Sequence, residues 1–348
     1  SRVRTLGKRD SDLGKQTLES AWPQLIATAD PALLRGLTQL ADKVNLPMEE
    51  SLLVQMTKDE HCSVPVRVET LNLLAKRKST QLMTCLQYAL ASAHPELRNA
   101  ARSHLADNSA DEFYQRVGND LVNATLSERQ ALLALLGKSK DARALPYLTM
   151  AMQDLLNDSL AQDIRLDVLE AVRAQPSLKP QVEAYDSALD RTDPLAAYRV
   201  ALHGGQASRG QELITEHVSA QCLRCHNMEG DAKQLGPNLQ HIGSRLNTEQ
   251  LLESLVHPNA KIAEGYQMVT LTVTGEASPI AGTIASETEE ALVITQISGE
   301  PSRVTKSKIT DQQRINISSM PSMAGVLSLK ELRDVVAYLS SLKLDLRQ

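Results

Sequence analysis

Cys222-Leu223-Arg224-Cys225-His226 is the stretch that decides the fold of the last third of the chain, because it places two thiols beside an imidazole. A structural zinc ion needs four ligands, usually from a second pair at matching spacing, and Cys62 and Cys85 lack that spacing. A thioredoxin-like redox pair needs a βαβ setting, which the flanking sequence does not predict. An ordinary structural disulfide is the third alternative. The residues around the motif favour none of these three.

The order C-x-x-C-H also suits the covalent attachment of a heme. Two thiols three positions apart near a helix end can add to the two vinyl groups of one porphyrin, and the adjacent His226 can then donate a nitrogen to the iron. The motif therefore predicts one heme c, bound through Cys222 and Cys225. Attachment of this kind implies a location outside the cytoplasm, either periplasmic or secreted.

Residues downstream of the motif predict how the iron would be held. Leu235-Gly236-Pro237-Asn238-Leu239 forms a turn with a carbonyl that can accept the second N–H of His226 and so fix its ring. Met320, which precedes a rigid proline, is the favoured sixth ligand of the iron, and Met323 is the alternative. A histidine ligand, from His241 or His257, or an open sixth position also stays open.

Residues from about 11 to 185 show helical periodicity, with polar or proline breaks between the apolar runs. One pattern recurs, and it is marked by Arg67, Arg98, Arg129 and Arg165. Its period of 31, 31 and then 36 residues predicts an α-solenoid, with a non-repetitive helical bundle as the alternative. Cys62 and Cys85 fall in this region and are interpreted as buried thiols, although a disulfide between them stays open.

The hydrophobic periodicity of the sequence changes from helical to strand-like after Tyr266. Four β-rich runs, separated by glycines and other turn residues, predict a small antiparallel meander of about four strands. The runs are Met268–Thr274, Ile280–Ile284, Leu292–Ile297 and Val304–Ile309. Helical periodicity returns from Ser328 to Leu342, and Ser328 with Glu331 predicts a capping box at the start of this helix.

Residues from about 204 to 345 resemble class I cytochrome c domains, in which the first and last helices cross. The residues that carry the resemblance are Gly204-Gly205, Gly210, the C-x-x-C-H motif, Gly236-Pro237-Asn238-Leu239, Met320-Pro321 and Tyr338. More specifically, the chain is similar to the heme-binding domain of large bacterial periplasmic proteins that join HEAT-like repeats to a cytochrome c domain. The resemblance implies that Gly210 lets Tyr338 pack closely. In that group a dehydrogenase-like β-propeller often lies upstream.

These patterns predict a mainly α protein. A HEAT-like α-solenoid is expected over residues 1–200, followed by a class I cytochrome c domain over residues 201–348 with a small antiparallel β insertion at about 266–315. The predicted function is one-electron transfer from a redox partner protein or an upstream dehydrogenase domain. The chain is expected to be the electron-transfer module of an oxidoreductase, and whether it has enzymatic activity alone stays open. The alternatives are a heme enzyme or sensor with an open sixth site, and a solenoid scaffold for a protein partner.

Composition narrows the range of partners. The formal net charge is -5 and the pI is about 5.9, which argues against nucleic acid as the main partner. No apolar run approaches the roughly 18 residues of a membrane span. Ser1 opens the sequence without an initiator Met or an apolar signal region, which predicts a processed chain or a piece of a longer one.

Overall fold

The computed structural model describes Gly36 and residues 49–230, 235–296 and 300–344. The predicted helical region before residue 49 therefore lies outside the described residues. The described residues are mostly helical, at 55%, with a small antiparallel sheet, which confirms the predicted class of a mainly α protein with a small β part. Within the described ranges, none of the helices is long and apolar enough to cross a membrane.

The helices are short and follow one another through turns. They begin with α1 (Glu50–Lys58), α2 (Val64–Lys76), α3 (Leu82–Leu90), α4 (Pro95–Asn108), α5 (Ala110–Asn123), α6 (Leu126–Lys138) and α7 (Ala144–Leu156). They continue with α8 (Arg165–Arg173), α9 (Lys179–Ala188), α10 (Ala207–Glu216), α11 (Ile242–Arg245), α12 (Thr248–Val256) and α13 (Leu329–Ser341). The chain divides into two compact units, Ser1–Met150 and Ala151–Gln348. This division falls earlier than the boundary predicted at residues 200 and 201, which stays a prediction.

In the first unit, the recurring arginines occupy equivalent helix positions. Arg67, Arg98 and Arg129 are each the fourth residue of their helix, and those helices are α2, α4 and α6. Helices α1 to α5 each pack on the next helix, and α4 also contacts both α2 and α6. The sequence period therefore corresponds to alternate helices.

A buried carboxylate joins two of these helices. Glu128 of α6, whose side chain is 1% exposed, accepts hydrogen bonds from Arg98 and Arg102 of α4, each at 2.6 Å. Burial by itself raises the pKa of Glu128, but the hydrogen bonds from Arg98, Thr125 and Arg102 outweigh it and hold the pKa far below its usual range. The ion pairs therefore stabilise the fold at neutral pH, and this stabilisation is lost as the pH falls and the carboxyl is protonated.

In the second unit, α10 packs closely on α13. A Cβ atom at Gly210 would lie 2.7 Å from the Cβ of Tyr338 and closer still to the carbonyl oxygen of Asp334, so only glycine allows this approach. The predicted contact between Gly210 and Tyr338 is therefore confirmed. Asp334 also accepts the N–H of Gln206, just before α10, at 2.8 Å.

The apolar face of α13 contributes to a core shared with α10, α11 and α12. Its buried members include Ile214, Ile242, Leu252, Leu332, Val336 and Leu339. Ser328 and Glu331 form the predicted capping box at the start of α13.

Charged side chains also tie α13 to α8. Arg333 Nη1 lies 2.7 Å from Asp167 Oδ2, and the two side chains are only 6% and 4% exposed. Lys330 Nζ lies 2.5 Å from Glu170 Oε2 in a second pair that is much more exposed, at 45% and 33%. Helix α8 is therefore part of the unit that contains α13.

The sheet consists of β1 (Met268–Val273), β2 (Ile280–Glu287), β3 (Ala291–Gln296), β4 (Pro301–Thr305) and β5 (Ile309–Ile315). Its strand order is β4-β3-β2-β1-β5, and all neighbours are antiparallel. Apolar residues from every strand form a core within the sheet itself, including Leu271 and Ile294. Met268 pairs with Ile315, so the sheet begins and ends on adjacent strands.

The described residues contain five strands, whereas the sequence predicts about four. The run predicted at Val304–Ile309 is instead the end of β4, a 3-10 turn at Lys306–Lys308 and the start of β5. Residues 310–314 of β5 are polar and exposed at the edge of the sheet, so this strand has no alternating apolar pattern by which a sequence could reveal it.

Replacing Asp167 by Asn removes the charge that balances buried Arg333, and we expect the full chain to lose about 3 kcal/mol of unfolding free energy. Glu170→Gln removes the exposed pair between the same two helices and should cost less than about 1 kcal/mol. Denaturant unfolding followed by circular dichroism compares the two variants. Equal losses in both would contradict the assignment of the buried pair as the stronger link.

Candidate functional site

The C-x-x-C-H motif lies in the turn region that follows α10. Gln221, just before the motif, has a φ of 44° and a ψ of 45°, a left-handed conformation that redirects the chain. Cys222–Arg224 then forms a single 3-10 turn, and the N–H groups of Cys225 and His226 both donate to the carbonyl of Cys222 at 3.1 Å. This turn brings both thiols and the imidazole into one short, ordered segment.

Two backbone hydrogen bonds hold the segment Leu235–Leu239 against the motif. The N–H of Gly236 donates to the carbonyl of Cys225 at 2.7 Å, and the N–H of Leu239 donates to that of Asn227 at 2.8 Å. They place the carbonyl of Pro237 beside the imidazole of His226.

His226 Nδ1–H donates a hydrogen bond to the carbonyl oxygen of Pro237 at 2.7 Å. The prediction that a carbonyl of this turn accepts from His226 is confirmed. Because a carbonyl can only accept, Nδ1 carries the hydrogen. Burial lowers the pKa of His226, and the hydrogen bond to Pro237 opposes this only in part. The ring is therefore neutral at pH 7, with its lone pair on Nε2, which is the form of histidine that binds metals.

Gly236 lies flat against the imidazole. A Cβ atom at this position would approach Cε1 of His226 to 2.5 Å, Nδ1 to 2.7 Å and Nε2 to 2.9 Å. Only glycine allows the backbone to approach the ring so closely. The glycine and the carbonyl of Pro237 thus fix the plane of His226 together.

A cavity of about 330 Å³ opens beside His226. Cys222 and Met320 line it as well, so the structure brings together three of the four residues that the sequence proposes as its main site. The apolar part of the wall includes Ile214, Leu239, Leu246, Leu251, Val335 and Leu339. This volume and apolar character are typical of cavities that bind a small molecule or a cofactor.

Two predicted site residues do not line this cavity. Cys225 is half-buried and does not line the cavity, although its carbonyl accepts the N–H of Gly236. Met323 is buried in the apolar core at the start of a 3-10 turn, with 4% of its surface exposed. Of the two methionines, only Met320 is therefore in the cavity wall.

The other candidate ligands lie outside the cavity. His241 and His257, the two histidines of the neighbouring segments, do not contribute to its wall. Cys85 is a buried free thiol, as predicted, whereas Cys62 is a half-buried free thiol in the turn between α1 and α2. Across the described ranges, no group of three or more His, Cys, Asp or Glu side chains could hold a metal ion.

Sequence reasoning assigns no site role to the segment between α12 and β1, yet Pro258, Lys261, Ile262 and Tyr266 all line the cavity. This segment has neither helical nor strand periodicity, so hydrophobic pattern gives no sign of where its side chains lie. Searches with the sequence find no matching protein-family model and no matching curated protein.

Gly236→Ala tests the close contact with His226. The added methyl group must displace the ring or the backbone, so we expect a loss of about 1–3 kcal/mol in unfolding free energy. The Nδ1–H of His226 is hydrogen-bonded to Pro237, so its signal in proton NMR spectra should also shift or disappear in the variant. Gly325→Ala is the matched control, because a Cβ there meets no atom within 4 Å. Equal stability of the two variants would contradict the contact.

Proposed function

We propose that the cavity binds one heme c, attached through Cys222 and Cys225, and that the protein transfers electrons one at a time. The observation that carries this proposal is that Met320, which lies far from the motif in the sequence, lines one apolar cavity together with Cys222 and His226. Two residues of the C-x-x-C-H motif thus share a cavity with the expected methionine ligand, which supports the interpretation of the motif as a heme attachment site.

The residues of the site fit this group. His226 is neutral, and its hydrogen bond to Pro237 would orient the ring and make Nε2 a stronger ligand for iron. Met320 offers a thioether sulfur, and a His/Met ligand pair favours the reduced state of the iron. A heme bound here would supply an iron that accepts and releases a single electron.

The wall of the cavity would affect the reduction potential of that iron. Many of its side chains are aliphatic, including Leu239, Leu251 and Val335, and they give the space beside His226 a largely apolar wall. A water-poor, apolar environment disfavours the more highly charged oxidised iron, which raises the reduction potential. The chain's own residues would thus bind, orient and desolvate the electron-carrying group.

Electron relay accounts better for the site than catalysis does. His226 and Met320 would both hold the iron, so the chain's own side chains would take the ligand sites that a substrate would need. We therefore propose that electrons come from a redox partner protein or from an upstream dehydrogenase domain. Because heme c is attached outside the cytoplasm, we also propose a periplasmic or secreted location.

We also propose a more specific fold for each of the two units. An α-solenoid in the first unit is supported by the arginines at equivalent positions of alternate helices and by the packing of α4 on both α2 and α6. A class I cytochrome c domain in the second unit is supported by the contact of α10 with α13 at Gly210 and Tyr338.

Covalent attachment is tested by a Cys222→Ala/Cys225→Ala double variant, produced alongside the wild type in cells that attach heme c. The wild type should retain its heme after extraction with acidic acetone, and the double variant should not. Cys62→Ser removes a thiol from the first unit and should retain heme like the wild type. A wild-type chain that releases its heme, or contains none, would contradict the proposal.

The distal ligand is tested by comparing Met320→Ala with Met323→Ala. Loss of the Met320 sulfur should abolish the weak far-red absorption band of Met-ligated ferric heme and allow the ferrous protein to bind carbon monoxide. Met323→Ala should cost about 2–5 kcal/mol of stability, because its side chain is buried, but should keep the band. The reverse pattern would make Met323 the ligand. Immediate carbon monoxide binding by the wild type would instead favour an open sixth site.

A further inference from the structure

The loop that contains Met320 begins where the β sheet ends. The chain enters the sheet at Met268 and leaves it at Ile315, and these two residues are paired across β1 and β5. The segments on either side of the sheet both line the cavity, one through Pro258 and Tyr266 and the other through Met320. The sheet therefore projects from a narrow neck whose two sides contribute to the wall of the cavity.

Side-chain hydrogen bonds close this neck at two points. Asn259, which follows α12, accepts the N–H of Ser318 through Oδ1 at 2.8 Å. Ser322 donates its hydroxyl to the carbonyl of Val256, near the C-terminal end of α12, at 2.7 Å. The two bonds lie on either side of Met320 and attach both ends of its loop to the same helix end.

The hydroxyl groups of the same two serines also accept hydrogen bonds from backbone N–H groups of the loop. Ser318 Oγ accepts the N–H of Met320 at 3.1 Å, and Ser322 Oγ accepts the N–H of Ala324 at 3.3 Å. The loop is therefore ordered on both sides of Met320 by two serines, of which Ser318 is anchored to Asn259 through its backbone N–H and Ser322 to α12 through its hydroxyl. Met320 itself is only partly buried, so packing alone does not hold it.

We infer that Asn259 and Ser322 are positioning residues that clamp the neck of the β sheet and thereby hold the Met320 sulfur in the cavity. The importance of this sulfur as an iron ligand rests on the proposed function. The clamp itself is a property of the chain and can be measured without reference to the heme. The sheet has a structural role in this clamp, because the pairing of β1 with β5 brings the two sides of the neck together.

Asn259→Ala and Ser322→Ala test the clamp in the full chain as purified. Each variant removes one anchor, so amide hydrogen exchange over residues 318–324 should become about fivefold faster, as the loss of one ordinary hydrogen bond predicts. Asn259→Asp keeps the accepting oxygen and should restore slow exchange. In heme-loaded protein, the far-red band should disappear at a lower denaturant concentration in the two alanine variants.

Asn247→Ala is the matched control. Asn247 caps the start of the same helix by accepting the N–H of Gln250 at 2.9 Å, so its loss weakens α12 without touching the neck. It should leave exchange over residues 318–324 unchanged. The inference is overturned if the two alanine variants exchange like the wild type, or if Asn247→Ala accelerates exchange in this segment as much as they do. A wild type without the far-red band would count against Met320 as a ligand, while the exchange data would still decide on the clamp.

Discussion

The 2.7 Å hydrogen bond from His226 to the carbonyl of Pro237 is the interaction on which the geometry of the site depends. It selects the tautomer with a lone pair on Nε2, and the close approach of Gly236 fixes the plane of the ring. The carbonyl is itself held in place by the hydrogen bond from Gly236 to Cys225, inside the C-x-x-C-H motif. Motif and turn thus stabilise each other, and the cavity opens beside the ring that they orient.

The half of the site around His226 could be predicted from the sequence because its parts are close together in the chain. The spacing of Cys222, Cys225 and His226, and the turn ten residues later, already specify a ring that donates to a carbonyl. The capping box of α13 is likewise a local signal, whereas the contact of Gly210 with Tyr338 was expected only from the family resemblance. The structure confirms both. Helical periodicity and the recurring arginines were enough to predict a mainly α chain.

The half around Met320 could be predicted only as a choice between Met320 and Met323, because their positions depend on tertiary packing. Met323 is buried in the core, whereas Met320 lies in the cavity wall between two anchored serines. Two further features could not be predicted: that residues 258–266 line the cavity, and that a fifth strand exists. An irregular segment and an exposed polar edge strand have no hydrophobic periodicity from which a sequence could reveal them. The hydrophobic pattern of a sequence predicts helices and strands that have a buried face, but it gives no prediction for segments that lack such a face.

The most direct test of the central claim is mass spectrometry of a tryptic digest of the wild-type protein. Trypsin can cut at Arg224, between the two cysteines, and on either side of the motif at Arg209 and Lys233. The proposed attachment predicts that residues 210–224 and 225–233 are recovered as one species that carries the mass of one heme, whether or not Arg224 is cut. Recovery of the two peptides with free thiols, or joined only by a disulfide, would contradict it.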